Sequence, residues 1–159
     1  MGSGILRALF GNLMKEILFM CSGNYYRSRF AEAVFNHAAA ARGVPWRAFS
    51  RGLAIHLVEG DLSPWAEHAL RERGIDLAMT GPTRVTLAEA DLLRASKIIA
   101  LKEAEHRPLM RRFFPAWESR VEYWPVHDLD CATPAEALPE IEMKVLAYVE
   151  AFAAGSTNG

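Results

Sequence analysis

Cys21 and Arg27 stand six positions apart and bracket the run Cys21-Ser22-Gly23-Asn24-Tyr25-Tyr26-Arg27-Ser28. A thiol and a guanidinium at that spacing can hold a phosphate beside a nucleophile. The thiolate is the form that attacks, and backbone N–H groups from Ser22 to Tyr26, with the positive end of a helix starting near Ser28, supply the potential that favours it. Gly23 and Asn24 are residue types that accept the left-handed backbone needed to curl those amides around one point. Arg27 can grip two phosphate oxygens at once, which a lysine could not do with the same geometry. Ser28 is placed to offer the sulfur a hydroxyl hydrogen bond. The bland reading of the same residues is an inert cysteine at a strand end and a surface arginine. The clustering of Gly, Asn, Arg and Ser argues against it.

The elements around the run must aim it. Lys15-Glu16-Ile17-Leu18-Phe19-Met20 leads in as a short apolar strand, and Phe30, Val34, Ala38 and Ala41 follow at helical spacing. The loop therefore joins a strand to a helix, where free N–H groups converge. Strand-like runs at 15–21, 46–52, 96–101 and 120–124 alternate with helix-like runs at 28–42, 63–73, 103–113 and 134–153, with a shorter helix at 87–94. That alternation predicts an α/β fold, a parallel sheet with helices on both faces. Ser63-Pro64 caps and opens one helix, and Gly74 stops it. Thr133-Pro134 opens the last, whose Leu138, Ile141, Val145, Tyr148, Val149 and Phe152 form a core-facing stripe. In open α/β sheets the ligand crevice lies beyond the carboxyl ends of the strands, where Cys21 ends the first one. The segment Pro125-Val126-His127-Asp128-Leu129-Asp130-Cys131 is expected on the same edge. Its two carboxylates, Asp128 and Asp130, are thereby candidates for proton transfer.

The whole chain narrows the partners. Its 159 residues, 51% of them hydrophobic, suit a single domain with a real core. We expect that domain over 15–154, with 1–14 an N-terminal extension and 155–159 a flexible tail. A net charge of −1 gives no basic footprint for nucleic acid and no polybasic run for a membrane surface. Two cysteines and no secretory signal fit a reducing, cytoplasmic setting. The five histidines show no ligand spacing with one another or with the cysteines, so no metal or other cofactor is expected. His106 reads as a solvent-facing helical residue and His127 as an exposed loop residue.

Ile17-Leu18-Phe19-Met20-Cys21-Ser22-Gly23-Asn24-Tyr25-Tyr26-Arg27-Ser28, followed by Phe30-Ala31-Glu32-Ala33, resembles the low-molecular-weight protein tyrosine phosphatases and their arsenate-reductase relatives. Ser50-Arg51-Gly52, Arg84-Val85-Thr86 and the acidic loop before the final helix extend the likeness over nearly the whole chain. The resemblance implies a four-stranded parallel sheet and a two-step reaction without a metal. In that scheme Cys21 attacks phosphorus to form a phosphocysteine, and Arg27 and the loop amides stabilise the equatorial oxygens. An aspartate then protonates the leaving oxygen and activates water. The family's acid opens an Asp-Pro dipeptide. Here Asp128 precedes Leu129 instead, with Asp130 two residues on, so Asp128 is favoured by its distance to the last helix and Asp130 stays open. Asn24 and Ser50 resemble a pair that braces the loop. The substrate implied is a phosphorylated protein or small aryl phosphate, with inorganic phosphate as product.

Four residues depart from the family pattern. Tyr26 replaces a second loop cysteine, and Tyr25 replaces a smaller rim residue. Arg29 stands where proline is common, and a cation in a first helical turn is unfavourable unless it faces an anion. Asp130 and Cys131 occupy a loop in which phosphotyrosine-selective members present aromatics, so Tyr25 becomes the candidate aromatic wall. Its bulk argues against the protein-arginine phosphatase branch, which has a small polar residue there. Cys131 opens an arsenate-reductase-like alternative, since that reaction needs a second thiol to attack the Cys21 adduct. The family's reductases carry theirs after the third strand, where this chain has none. Efficient thioredoxin-coupled turnover is therefore not expected, although a Cys21–Cys131 disulfide could act as a redox lock. A third reading is a phosphate-binding module of the same fold without turnover.

Overall fold

The computed structural model describes residues 14–57, 59–125 and 134–158. Four strands, β1 (Lys15–Cys21), β2 (Trp46–Gly52), β3 (Lys97–Ala100) and β4 (Glu122–Tyr123), form one parallel sheet in the order β2-β1-β3-β4. Among the described residues five α-helices accompany them: α1 (Arg27–Arg42), α2 (Pro64–Glu72), α3 (Glu89–Arg94), α4 (Glu103–Phe113) and α5 (Pro134–Asn158). The alternating apolar runs thus give the α/β fold they predict.

β1 is central, so both its faces are covered and its residues read as continuously apolar. Ile17 and Phe19 face one way, into a core shared with Phe30, Val34 and Phe35 of α1, Leu70 of α2 and Ile141, Val145 and Val149 of α5. Leu18 and Met20 face the other, against Phe49, Leu92, Ile98, Met110 and Trp117. This split follows from the two-residue period of a strand.

Ser63 caps α2, its hydroxyl accepting from Trp65 N at 3.2 Å, and Gly43 ends α1 in the left-handed region with φ 67°. Two boundaries differ from the periodicity. β4 shrinks to two residues because a 3₁₀ turn over Pro115–Arg120 occupies the approach. α5 runs on to Asn158, past the expected 153.

The chain visits β2 on one side of β1 and then crosses to β3 on the other. Such a reversal opens a crevice at the carboxyl ends of β1 and β3. Cys21 is the last residue of β1, and the register that pairs Met20 with Ala100 brings the end of β3 beside it.

Candidate functional site

Cys21 is buried at the end of β1, and Ser22 to Tyr26 turn the chain into α1. Two backbone bonds hold this turn against the segment after β2, Leu53 N to Cys21 O at 3.0 Å and Ala54 N to Ser22 O at 2.8 Å. Asn24 takes the left-handed conformation at φ 48°, whereas Gly23 does not. The Asn24 side chain then spends every polar atom on the scaffold. Its Oδ1 accepts from Val85 N at 2.8 Å, and its Nδ2 donates to Ser28 Oγ at 3.0 Å and to Ser50 Oγ at 2.9 Å. Ser28 Oγ lies 2.9 Å from Cys21 Sγ.

Gly52 faces the loop from β2. A Cβ there would lie 2.9 Å from Ser22 O and 3.0 Å from Asn24 Cβ, so the close approach requires a glycine.

Behind the loop the network ends on a buried carboxylate. Ser50 donates to Glu32 Oε1 at 2.6 Å and Thr80 to the same oxygen at 2.7 Å. Burial pushes the Glu32 carboxyl above the usual carboxylate range, opposed by those two hydroxyls and by the Arg29 guanidinium. Arg29 is buried and donates to Thr80 Oγ1 at 2.6 Å, to Asp61 O at 2.7 Å and to Gly81 O. The cation in the first turn of α1 thus has its anion in Glu32 and ties the loops at 61 and 80–81 to the helix.

Tyr26 is buried in the α1–α5 core. Tyr25 is half-buried against it, 3.5 Å from the position a Gly60 Cβ would take. Arg84 reaches the loop from the far side, Nη1 donating to Gly23 O at 3.4 Å and to Ile55 O at 2.6 Å.

Arg27 is buried, 3% exposed, and its guanidinium meets Glu105 of α4 with Nη2 at 3.4 Å from Oε1. Ser22 Oγ donates to the same Oε1. The Glu105 carboxyl sits lower than usual, the Ser22 hydroxyl and the Arg27 charge outweighing its burial.

His106, expected to face solvent, is wholly buried beside it. Its Nδ1 accepts from Lys102 N at 3.0 Å, which leaves the proton on Nε2. Burial and the Arg27 charge push its pKa down to about 3. Glu105 did not stand out in the sequence, and His106 was singled out there only to be read as solvent-facing. The signal was there in topology: β3 lies beside β1, so the first turn of the helix after β3 opens onto the same crevice as Cys21.

Asp128, Asp130, Cys131 and His127 lie outside the described residues. Among the described residues no helix is long and apolar enough to cross a membrane, and no cluster of three or more His, Cys, Asp or Glu side chains could hold a metal ion.

The chain is similar to known proteins. The family described as "Low molecular weight phosphotyrosine protein phosphatase" matches residues 16–152. A low molecular weight protein tyrosine phosphatase from T. tengcongensis superposes with a TM-score of 0.68 at 25% identity, over 86% of this chain and 95% of that one. The YwlE arginine phosphatase from Geobacillus stearothermophilus gives 0.66 at 20% identity, over 91% and 94%. An arsenate reductase of Bacillus licheniformis is 39% identical over 64 residues, 40% of this chain. That match spans 41% of the reductase's own length.

Proposed function

The chain belongs to the low molecular weight phosphotyrosine protein phosphatase family, and from that premise we propose that it hydrolyses an aryl phosphate monoester, phosphotyrosine or a smaller analogue, through Cys21. The observation that supports the reading is the buried hydroxyl of Ser28 at 2.9 Å from Cys21 Sγ, beside a loop that runs from that thiol to Arg27. In the first step the Cys21 thiolate attacks phosphorus. The S–P bond forms as the bond to the aryl oxygen breaks, and that oxygen takes a proton from Asp128, or from Asp130 in its place. In the second step water attacks phosphorus and gives its proton to the same carboxylate. The S–P bond breaks and inorganic phosphate leaves. Arg27 and the amides of Ser22 to Ser28 hold the three equatorial oxygens throughout.

Tyr25, half-buried at the rim, supports an aromatic leaving group as the partner of the cradle. The test is hydrolysis of p-nitrophenyl phosphate and of a phosphotyrosine peptide by the wild-type protein and by Cys21→Ser. A wild-type rate abolished by the substitution, with a phosphoprotein trapped on rapid quenching, is the expected result. Wild-type binding of phosphate with no turnover would sink the reading in favour of a binding module.

The arsenate reductase match favours a second reading, two-electron reduction of arsenate with oxidation of two thiols to a disulfide. Cys131 would supply the second thiol. Arsenate reduction that is lost in Cys131→Ser would establish it.

A further inference from the structure

We propose that Glu105 is the positioning residue for Arg27, holding the guanidinium plane ready for the transferring phosphoryl group; this deepens the phosphatase reading and rests on it. Glu105 lies in the first turn of α4, and the pairing of β3 with β1 carries that turn to the Cys21 loop. Its carboxylate faces both terminal nitrogens of Arg27, with Nη2 at 3.4 Å from Oε1 and Nη1 and Nη2 each at 3.5 Å from Oε2.

The carboxylate is itself fixed. Ser22 Oγ donates to Oε1, and the protonated Nε2 of His106 stands 3.8 Å from the same oxygen. That nitrogen is buried and has no hydrogen-bond partner among the described residues. A hydroxyl from the phosphate loop, a ring N–H from α4 and a guanidinium thus converge on one anion.

The Arg27 contacts are longer than an ordinary charge-assisted hydrogen bond, which centres near 2.8 Å. Contacts of that length align the guanidinium without locking it in place. Electrostatics decides where the benefit falls. A fixed carboxylate makes the cradle less positive, so Glu105 weakens the binding of a ground-state phosphate. Alignment instead matters most as charge spreads over three coplanar oxygens in the transition state. Glu105 therefore acts on kcat rather than on KM.

Glu105→Gln keeps the size of the side chain and removes the charge. Its kcat and KM for p-nitrophenyl phosphate, its Tm and its affinities for inorganic phosphate and orthovanadate by calorimetry would be compared with those of the wild type. Vanadate takes the trigonal bipyramidal shape of the transition state, so the ratio of vanadate to phosphate affinity reads Arg27 alignment even where no aryl phosphate is turned over. We expect kcat and vanadate affinity each to fall about tenfold or more, as for loss of one oriented oxyanion donor. KM and phosphate affinity should stay within about threefold or improve.

Unchanged kcat and vanadate affinity overturn the proposal. So does a rise in kcat/KM, which would make Glu105 a competing anion, or a parallel loss of Tm and phosphate affinity, which would make it structural. A wild-type protein without aryl phosphatase activity counts against the proposed function, and the vanadate-to-phosphate ratio then decides Glu105 by itself. Should Glu105→Gln fail to fold, Ser22→Ala removes only the hydroxyl that holds Oε1. It should lower kcat and vanadate affinity about threefold, the loss of one modest hydrogen bond, and unchanged values overturn the proposal.

Discussion

Ser28 Oγ stands 2.9 Å from Cys21 Sγ while accepting from Asn24 Nδ2 at 3.0 Å. The amide holds the oxygen in place, and once Cys21 is a thiolate the hydroxyl is the one donor of the pair, so its proton turns to the sulfur. A thiolate that accepts this bond is stabilised as the nucleophile and again as the leaving group when the S–P bond breaks. Ser28→Ala should therefore slow the second step. A hydrogen bond to a charged group contributes about 1.5–3 kcal/mol, or roughly 10- to 100-fold in rate. Burst kinetics with p-nitrophenyl phosphate check this: the burst should persist while steady-state turnover falls. Equal loss of both phases would place the hydroxyl elsewhere in the reaction.

Gly52→Ala probes the floor beneath the same loop. The added Cβ would sit 2.5 Å from Ile55 Cγ2, which can swing away, and 2.9 Å from Ser22 O, which is backbone and cannot move without the loop. We expect a loss of about 1–3 kcal/mol from overpacking, measured by urea unfolding, and weaker phosphate binding from the displaced amides. Unchanged phosphate affinity at reduced stability would show that the strain is relieved away from the cradle.

The strand and the loop that follows it were legible in the sequence because they are contiguous: Cys21 to Ser28 is one local motif, and apolar runs at 15–21 and 46–52 announce their strands. The partners of that loop were harder to read because the sheet order selects them. Glu105 meets Arg27 across 78 residues and Ser22 across 83, and His106 follows it into the interior. Periodicity placed His106 on a helix without saying which face would lie against the crevice. Arg29 meets the condition set for a cation in a first helical turn: Glu32, three residues on, supplies the anion, while the fold brings in Thr80 and Gly81.

Arg29→Met tests that cluster. The substitution keeps the aliphatic stem and deletes the donors to Thr80, Asp61 and Gly81, and with them the guanidinium charge that acts on the buried Glu32 carboxyl. Removing one partner of a buried ion pair costs about 3–5 kcal/mol. Glu32→Gln in the same chain should restore part of that loss, because the stranded charge goes with it. A double-mutant cycle by chemical denaturation measures the coupling. Additive losses would mean the two side chains act independently.

The assignment of the acid follows from leaving-group dependence. A carboxyl that protonates the departing oxygen matters most for poor leaving groups and little for p-nitrophenolate. Asp128→Asn should therefore lower the rate on phenyl or alkyl phosphates far more than on p-nitrophenyl phosphate, with Asp130→Asn nearly indifferent to the leaving group. The reverse pattern would give the role to Asp130.

His106 makes the fold sensitive to acid in a defined window. Its pKa is pushed down to about 3 in the folded protein, against an ordinary value of 6.5, so between those limits the folded chain holds it neutral and the unfolded chain protonates it. The unfolded state then binds more protons, and stability rises with pH across the window and is lost as pH falls through it. A single group so displaced gives a slope of about 1.4 kcal/mol per pH unit. Glu105, held low by Ser22 and Arg27, adds a loss of the same sign, but only below its ordinary value of 4.5. Between pH 6.5 and 4.5 Glu32, raised by burial, contributes with the opposite sign in both proteins, so it is the difference between the wild-type slope and that of a His106 variant that belongs to His106. In His106→Asn the amide oxygen can still accept from Lys102 N, and no titrating group remains at that position. Urea unfolding at pH 4.5, 5.5 and 6.5 should show the wild-type slope flattened in this variant. Parallel slopes in the two proteins would mean that the buried imidazole is charged in the folded state, and the role of Nδ1 as acceptor from Lys102 N would fall with it.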